Sequence, residues 1–326
     1  MSKVALITGI TGQDGPYLAK FLLSKNYTVY GLISRRATAV YDNLKFLNII
    51  DKINFICGDL TDLSSLRKAI EESKPDEIYN LAAMSFVGAS WDIPIHTSNV
   101  NSIGVLNILE CIRSINKNIK FYQAGTSEMF GSNINSDGYQ DESTPFHPRS
   151  PYGVSKVFAH NMVQNYRESF GIFGCNGILF NHESPLRGKE FVTRKITNAI
   201  ANILAGKETK IELGNLSAER DWGFAGDYVE AMWLMLQETV PEDYIIATGE
   251  TNSIQYFLEV AFEYSGLGSW TEYVVQNPKY FRPAEVNKLK GNSSKAQRIL
   301  GWKPTVNIDS LIKMMLDADI KRVNNG

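Results

Sequence analysis

Lys3-Val-Ala-Leu-Ile-Thr-Gly-Ile-Thr-Gly-Gln-Asp-Gly15 decides the fold. Its first six residues form a short, β-rich apolar run and read as a buried strand. Gly9, Gly12 and Gly15 follow, and from Pro16 a helical pattern puts Leu18, Phe21 and Leu22 on one face. Strand, glycine turn and helix, in that order, is the context of a dinucleotide-binding turn. The glycines let the chain turn sharply and let backbone N–H groups approach a pyrophosphate. The helix N-terminus adds a favourable partial charge. The turn as a whole, Gly9, Thr11, Gly12, Gln13, Asp14 and Gly15, is therefore the first candidate cofactor site.

The same alternation continues outward. Thr28–Ile33 reads as a second strand, ending in Ser34-Arg35-Arg36. Sites for NAD place an acid here to hold the ribose hydroxyl, whereas paired guanidinium groups suit a 2′-phosphate. Arg35 and Arg36 thus point to NADP. Phe55-Ile56 leads to Gly58-Asp59-Leu60, a third strand with an acid placed to meet the adenine. Glu77-Ile-Tyr-Asn-Leu-Ala-Ala83 is a fourth strand with a small-residue exit, and residues 97–114 read as a long helix. Lys120–Ala124 is a fifth strand running into Gly125-Thr126-Ser127-Glu128. Such alternation implies an α/β, Rossmann-type, doubly wound parallel sheet. Its sites lie at the carboxyl ends of strands.

Tyr152 and Lys156 stand four residues apart in a stretch that Pro151 opens as a helix. That spacing brings their Cβ atoms to about 5–6 Å on one face. A free tyrosine ionises near pH ~10, and a neighbouring ammonium favours the phenolate. The pair suits moving the proton of a substrate hydroxyl while a cofactor takes the hydride. Glu128, beside the hydroxyls of Thr126 and Ser127, offers a second acid/base.

The chain of 326 residues is 44% hydrophobic, enough for one large or two interlocked domains. We expect a dinucleotide-binding domain over 1–180. A smaller substrate lobe over 181–326 is expected to interleave with the last elements of the sheet. The formal net charge of -2, with no long run of one sign, gives no case for nucleic acid or a membrane surface. Cys57, Cys111 and Cys175, odd in number and set in apolar surroundings, are too scattered for a disulfide framework or a metal site. No apolar run is long enough to span a bilayer, and the cysteine usage points to a reducing cytoplasm and to no metal. His147 and His160 lack ligand-spaced partners and read as structural.

Gly9-x-x-Gly12-x-x-Gly15 with Tyr152-x-x-x-Lys156 resembles the extended short-chain dehydrogenase/reductase superfamily. More sharply, Thr126-Ser-Glu128, Asn176-Gly-Ile-Leu-Phe-Asn-His-Glu-Ser-Pro185, Phe191-Val-Thr-Arg-Lys195, Arg220-Asp-Trp-Gly223 and Arg282-Pro-x-Glu285 resemble the GDP-mannose 4,6-dehydratase family. The resemblance covers nearly the whole chain and implies a hydro-lyase. NADP oxidises carbon 4 of a GDP-hexose, water leaves from carbons 5 and 6, and the hydride returns to carbon 6. It implies Tyr152 as the base at the 4-hydroxyl, with Lys156 holding phenolate and ribose. Glu128 then acts at carbons 5 and 6, and Thr126 bonds the 4-oxygen. It also implies cofactor contacts from Leu60, Leu81, Ala82, Ala83, Ser85, His182 and Arg187. Sugar-nucleotide contacts are implied for Ser85, Asn181, Val192, Lys195, Arg220, Arg282 and Glu285.

A homodimer through a four-helix bundle of the helices at 97–114 and 152–170 is expected. The insertion that packs across a tetramer interface in the family is short here, so a tetramer stays open. His96 and Met84 depart from the family pattern, which leaves a GDP-heptose as an alternative to GDP-mannose. A 4-keto reductase and a nucleotide sensor without catalysis are the other readings.

Overall fold

Seven parallel strands make the centre of the computed structural model, which describes residues 2–35, 40–280, 286 and 288–325. They are β1 (Val4–Thr8), β2 (Thr28–Ile33), β3 (Asn54–Cys57), β4 (Glu77–Asn80), β5 (Lys120–Ala124), β6 (Gly174–Leu179) and β7 (Tyr244–Ile246). Their spatial order is β7-β6-β5-β4-β1-β2-β3. The order reverses between β1 and β4, and in open α/β sheets that switch point opens the ligand crevice.

Helices on both faces explain why the central strands are apolar throughout rather than alternating. Helices α1 (Asp14–Ser24) and α6 (Ala225–Gln237) cover one face through Leu18, Leu22, Met232 and Met235. Helices α2 (Leu63–Ser73), α3 (Gly104–Ile115) and α4 (Pro151–Phe170) cover the other through Leu66, Ile108 and Val163. The start of α4 is set by Ser150, whose Oγ accepts a hydrogen bond from Gly153 N at 3.0 Å, with Pro151 behind it. Such a cap contributes about 1 kcal/mol. Gly171, at φ 68°, ends the helix in the left-handed conformation that suits glycine.

The long helix expected at 97–114 runs from Pro94 to Ile115 with a wider, π-helical turn at Asn99–Ile103. That turn carries Asn101, whose side chain bonds both backbone polar groups of Met84 and Ser155 Oγ. The helix is thereby tied to the exit of β4 and to α4.

The second half builds its own core around α5 (Val192–Leu204), α7 (Ile254–Ser265) and α8 (Ile308–Asn325), with Ile200, Trp222, Phe257, Phe262 and Leu316 buried together. Helix α6 and strand β7 return from this half to complete the central sheet. Arg194 on α5 and Asp319 on α8 form a buried ion pair at 2.7 Å. Of the free cysteines, Cys111 and Cys175 are buried, while Cys57 at the end of β3 is exposed rather than set in apolar surroundings. Among the described residues no helix is long and apolar enough to cross a membrane, and no His, Cys, Asp and Glu cluster could hold a metal.

Candidate active site

A cavity of about 530 Å³ opens at the carboxyl ends of β1, β4 and β5. Parallel strands all release their loops at this end, so motifs far apart in sequence meet here. Gly9 sits at φ +69°, and a Cβ there would lie 2.7 Å from Ala82 N. A Cβ on Gly15 would lie 2.5 Å from Gly9 O. The turn therefore needs glycine at both points, and the bare backbone at the start of α1 forms a cradle fitted to a pyrophosphate.

Asp59, Leu60, Leu81, Ala82, Ala83 and Ser85 continue the wall from β3 and β4, and Thr126, Glu128, Tyr152 and Lys156 form the opposite end. The second half contributes Asn181, His182 and Arg187. The structure thus brings together the glycine turn, the Thr-Ser-Glu stretch and the Tyr/Lys pair. Arg35 is exposed at the end of β2, outside the cavity, although its neighbour Ser34 lines it. Arg36, Arg282 and Glu285 lie outside the described residues. Val192 and Lys195 on α5, and Arg220, lie outside the cavity lining. Lys195 places its amine 3.7 Å from the centre of the Tyr280 ring. Arg220 is buried and donates to Glu219 O at 2.9 Å.

Electrostatics separate the groups. Tyr152 differs from the sequence expectation of a lowered pKa. Burial pushes it up to about 12; a hydrogen bond with Thr126 works against that, and the nearby Glu128 charge adds to it. Lys156 does not supply the expected lowering, because its Nζ lies 5.9 Å from the Tyr152 ring centre and donates to Ala124 O at 2.8 Å. Burial brings Lys156 down to about 8, with only Asp14 opposing. Asp14 and His182 form a buried pair, Nε2 to Oδ2 at 2.8 Å. Burial works against the Asp14 carboxylate, but His182 and Arg187 outweigh it and hold the carboxyl below its ordinary value. Burial likewise opposes the His182 cation, and Asp14 raises its pKa overall. His182 Nδ1 faces Phe180 O at 2.8 Å, so both ring nitrogens meet acceptors, as an imidazolium requires.

Three residues here escaped the sequence reading. Asn43 donates to Gly12 O at 2.8 Å and braces the glycine turn; nothing in its local sequence marks it. Asn80 and Gln123 are buried under the cavity floor. Their signal is visible in retrospect, because each is a polar residue at or next to the end of its strand, Asn80 last in β4 and Gln123 one before the end of β5.

Comparison with known proteins follows the same lines. A family model described as GDP-mannose 4,6 dehydratase matches residues 6–315. The chain is 54% identical over 331 residues to GDP-mannose 4,6 dehydratase 2 of Arabidopsis thaliana, covering 98% of this chain and 87% of that protein. It is 46% identical to the human GDP-mannose 4,6 dehydratase over 342 residues, covering 98% and 91%. In fold it is similar to dTDP-glucose 4,6-dehydratase of Bacillus anthracis in complex with NAD, with TM-score 0.85, 22% identity, and 99% and 98% of the two chains covered. It is also similar to RMD of Pseudomonas aeruginosa complexed with NADPH, with TM-score 0.81, 21% identity, and 98% and 100% covered.

Proposed function

Because the chain belongs to the GDP-mannose 4,6 dehydratase family, we propose that it acts as a nicotinamide-dependent hydro-lyase converting GDP-mannose to a GDP-4-keto-6-deoxy sugar. The observation that carries the chemistry is the meeting of Tyr152, Lys156, Thr126 and Glu128 at one end of a cavity whose other end is the glycine cradle. The cradle fits a dinucleotide, because any side chain on Gly9 or Gly15 would strike backbone. Gly9, Thr11, Gly12, Gln13, Asp14 and Gly15 would hold its pyrophosphate. Asp59 and Leu60 would meet the adenine side, and Leu81, Ala82, Ala83, Ser85, His182 and Arg187 would line the remainder. When bound, the nicotinamide supplies a reversible store for the hydride that leaves carbon 4 and returns at carbon 6.

The chain's own residues do the proton work. Tyr152 takes the proton of the 4-hydroxyl. Lys156, a cation at neutral pH, would offer donors to the ribose. The resulting ketone acidifies the proton on carbon 5. Thr126 holds the 4-oxygen while Glu128 removes that proton and passes it to the departing 6-hydroxyl, which leaves as water; carbon 5 then takes a proton from solvent as the hydride reaches carbon 6, and Tyr152 releases the one it took. A general acid/base of this kind is worth about 10²–10⁴-fold. Asn181, Val192, Lys195, Arg220, Arg282 and Glu285 would hold the GDP-sugar, with residues 181–326 as mainly the substrate lobe and 1–180 as the cofactor domain.

NADP is the proposed form. The supporting feature is Arg35-Arg36 where NAD sites carry an acid. Changing both to Ala should narrow the preference for NADP over NAD by about 1–3 kcal/mol. Equal binding of the two cofactors to the unmodified protein would refute it. Exposed Ile95, Ile103, Val154 and Phe158, on the 94–115 helix and α4, support a homodimer through a four-helix bundle. A tetramer is not required by this reading. The composition suits a cytoplasmic enzyme.

The deciding experiment is incubation of the purified protein with GDP-mannose and only catalytic NADP. The deoxy-keto product should accumulate, since the hydride is recycled. A need for stoichiometric NADPH would indicate a reductase. Product from a GDP-heptose but not from GDP-mannose would overturn the substrate.

A further inference from the structure

The three strands beneath the cavity carry matched residues at their ends. Leu6, Ile78 and Phe121 stand side by side in the sheet and are buried against α2, α3 and α4. Two residues further along, the same face carries Thr8, Asn80 and Gln123, again in register. An apolar row is thus followed by a polar one, and each member of it is about 1% exposed.

The polar row is a directed chain of hydrogen bonds. Thr8 Oγ1 accepts from Leu81 N and Ala82 N, each at 3.1 Å, and donates to Asn80 Oδ1 at 2.6 Å. Asn80 Nδ2 donates to Gln123 Oε1 at 2.8 Å, and Gln123 Nε2 donates to Ala124 O at 2.8 Å. The Ala124 carbonyl also accepts from Lys156 Nζ at 2.8 Å. Because Thr8 must accept from two backbone amides, its hydroxyl proton has one direction left. That fixes the Asn80 amide and then the Gln123 amide, so an N–H rather than a C=O faces Ala124.

We infer that Gln123 is a positioning residue for Lys156: it takes half of the Ala124 carbonyl and so keeps the ammonium from settling wholly into the cavity floor. This deepens the reading of Tyr152 and Lys156 given above and rests on it. Two donors on one carbonyl each hold it less strongly than one donor alone. Removing the Gln123 N–H leaves the carbonyl to Lys156, which is then drawn towards the floor and held more firmly as a cation. The other ionisable groups on the same cavity are Tyr152 one turn earlier on α4, Glu128 beyond β5, Asp14 on α1, His182 and Arg187 from the second half, and Tyr41, Asp59 and His96.

Two nearly isosteric variants, Gln123→Met and Gln123→Glu, test this in the full-length protein. The first readout is the pH dependence of Lys156 acylation by a small amine-reactive reagent, followed by peptide mass spectrometry without nucleotide. The unmodified protein should inflect near pH 8. Both variants should inflect higher, and the Glu variant highest, because its carboxylate adds attraction. The second readout is turnover: kcat should fall about tenfold with KM for GDP-mannose unchanged, as for a displaced catalytic group. A residue that only packs would lower thermal stability and leave the inflection in place. If Gln123→Met does not fold, the acylation profile of Gln123→Glu decides alone. Unmoved inflections overturn the inference. Lys156→Met separates the two levels: if it retains turnover, the Tyr/Lys reading fails; if it is inactive while both Gln123 variants behave as the unmodified protein, only the role of Gln123 fails.

Discussion

Lys156 and Lys195 represent the two halves of the molecule. Lys156 is 4% exposed in the cavity floor, one donor on a carbonyl that a buried amide chain also holds. Lys195 is half-buried on α5, outside the cavity lining, with its amine over the Tyr280 ring. Both were named as site residues from the sequence. The first arrives at the site because α4 begins at the end of the sheet where the parallel strands release their loops. The second depends on how α5 packs against Tyr280. Charge in the floor is held at a cost in stability; charge on α5 is held cheaply.

The comparison breaks first at the chemistry. Tyr152→Phe should lower turnover by about 10²–10⁴-fold while GDP-mannose binding persists, because only the hydroxyl is lost. Steady-state kinetics with a binding titration checks both halves, and near-normal turnover would remove Tyr152 as the base. Glu128→Gln should cost about 10²-fold in deoxy product. In deuterated water it should incorporate little deuterium at carbon 5, since glutamine cannot carry that proton. Product at the normal rate would place the elimination base elsewhere.

Stability sharpens the comparison further. The folded pKa of Lys156, about 8, lies below the value of 10.5 for an unburied lysine. A depressed pKa means that its favourable contribution is present above the unfolded value and is lost as pH falls through the folded one. At pH 6 the buried ammonium is therefore a cost. Lys156→Met should raise unfolding free energy at pH 6 by about 1–3 kcal/mol, with the gain gone above pH ~10. Denaturant titrations at several pH values measure this, and an unchanged or weaker protein at pH 6 would contradict it. Lys195→Ala should alter stability by less than about 1 kcal/mol at any pH, the scale of one exposed cation–π contact. It should raise KM for GDP-mannose by roughly tenfold, about 1.4 kcal/mol, without changing kcat. A fall in kcat instead would move Lys195 into the chemistry.

The sequence by itself determined the sheet and its crevice. An apolar run, three glycines and an amphipathic helix admit one local arrangement, and repeating that unit forces parallel strands whose loops share an end. The positions of Thr126, Glu128, Tyr152 and Lys156 follow from that geometry alone. Tertiary structure decided three things the periodicity could not. It set the protonation balance, because burial raises Tyr152 and lowers Lys156 whatever their spacing on a helix. It paired Asp14 with His182 across 168 positions. And it joined Thr8, Asn80 and Gln123 under Lys156, since desolvation and hydrogen-bond direction are properties of the packed interior and have no counterpart in a string of residues.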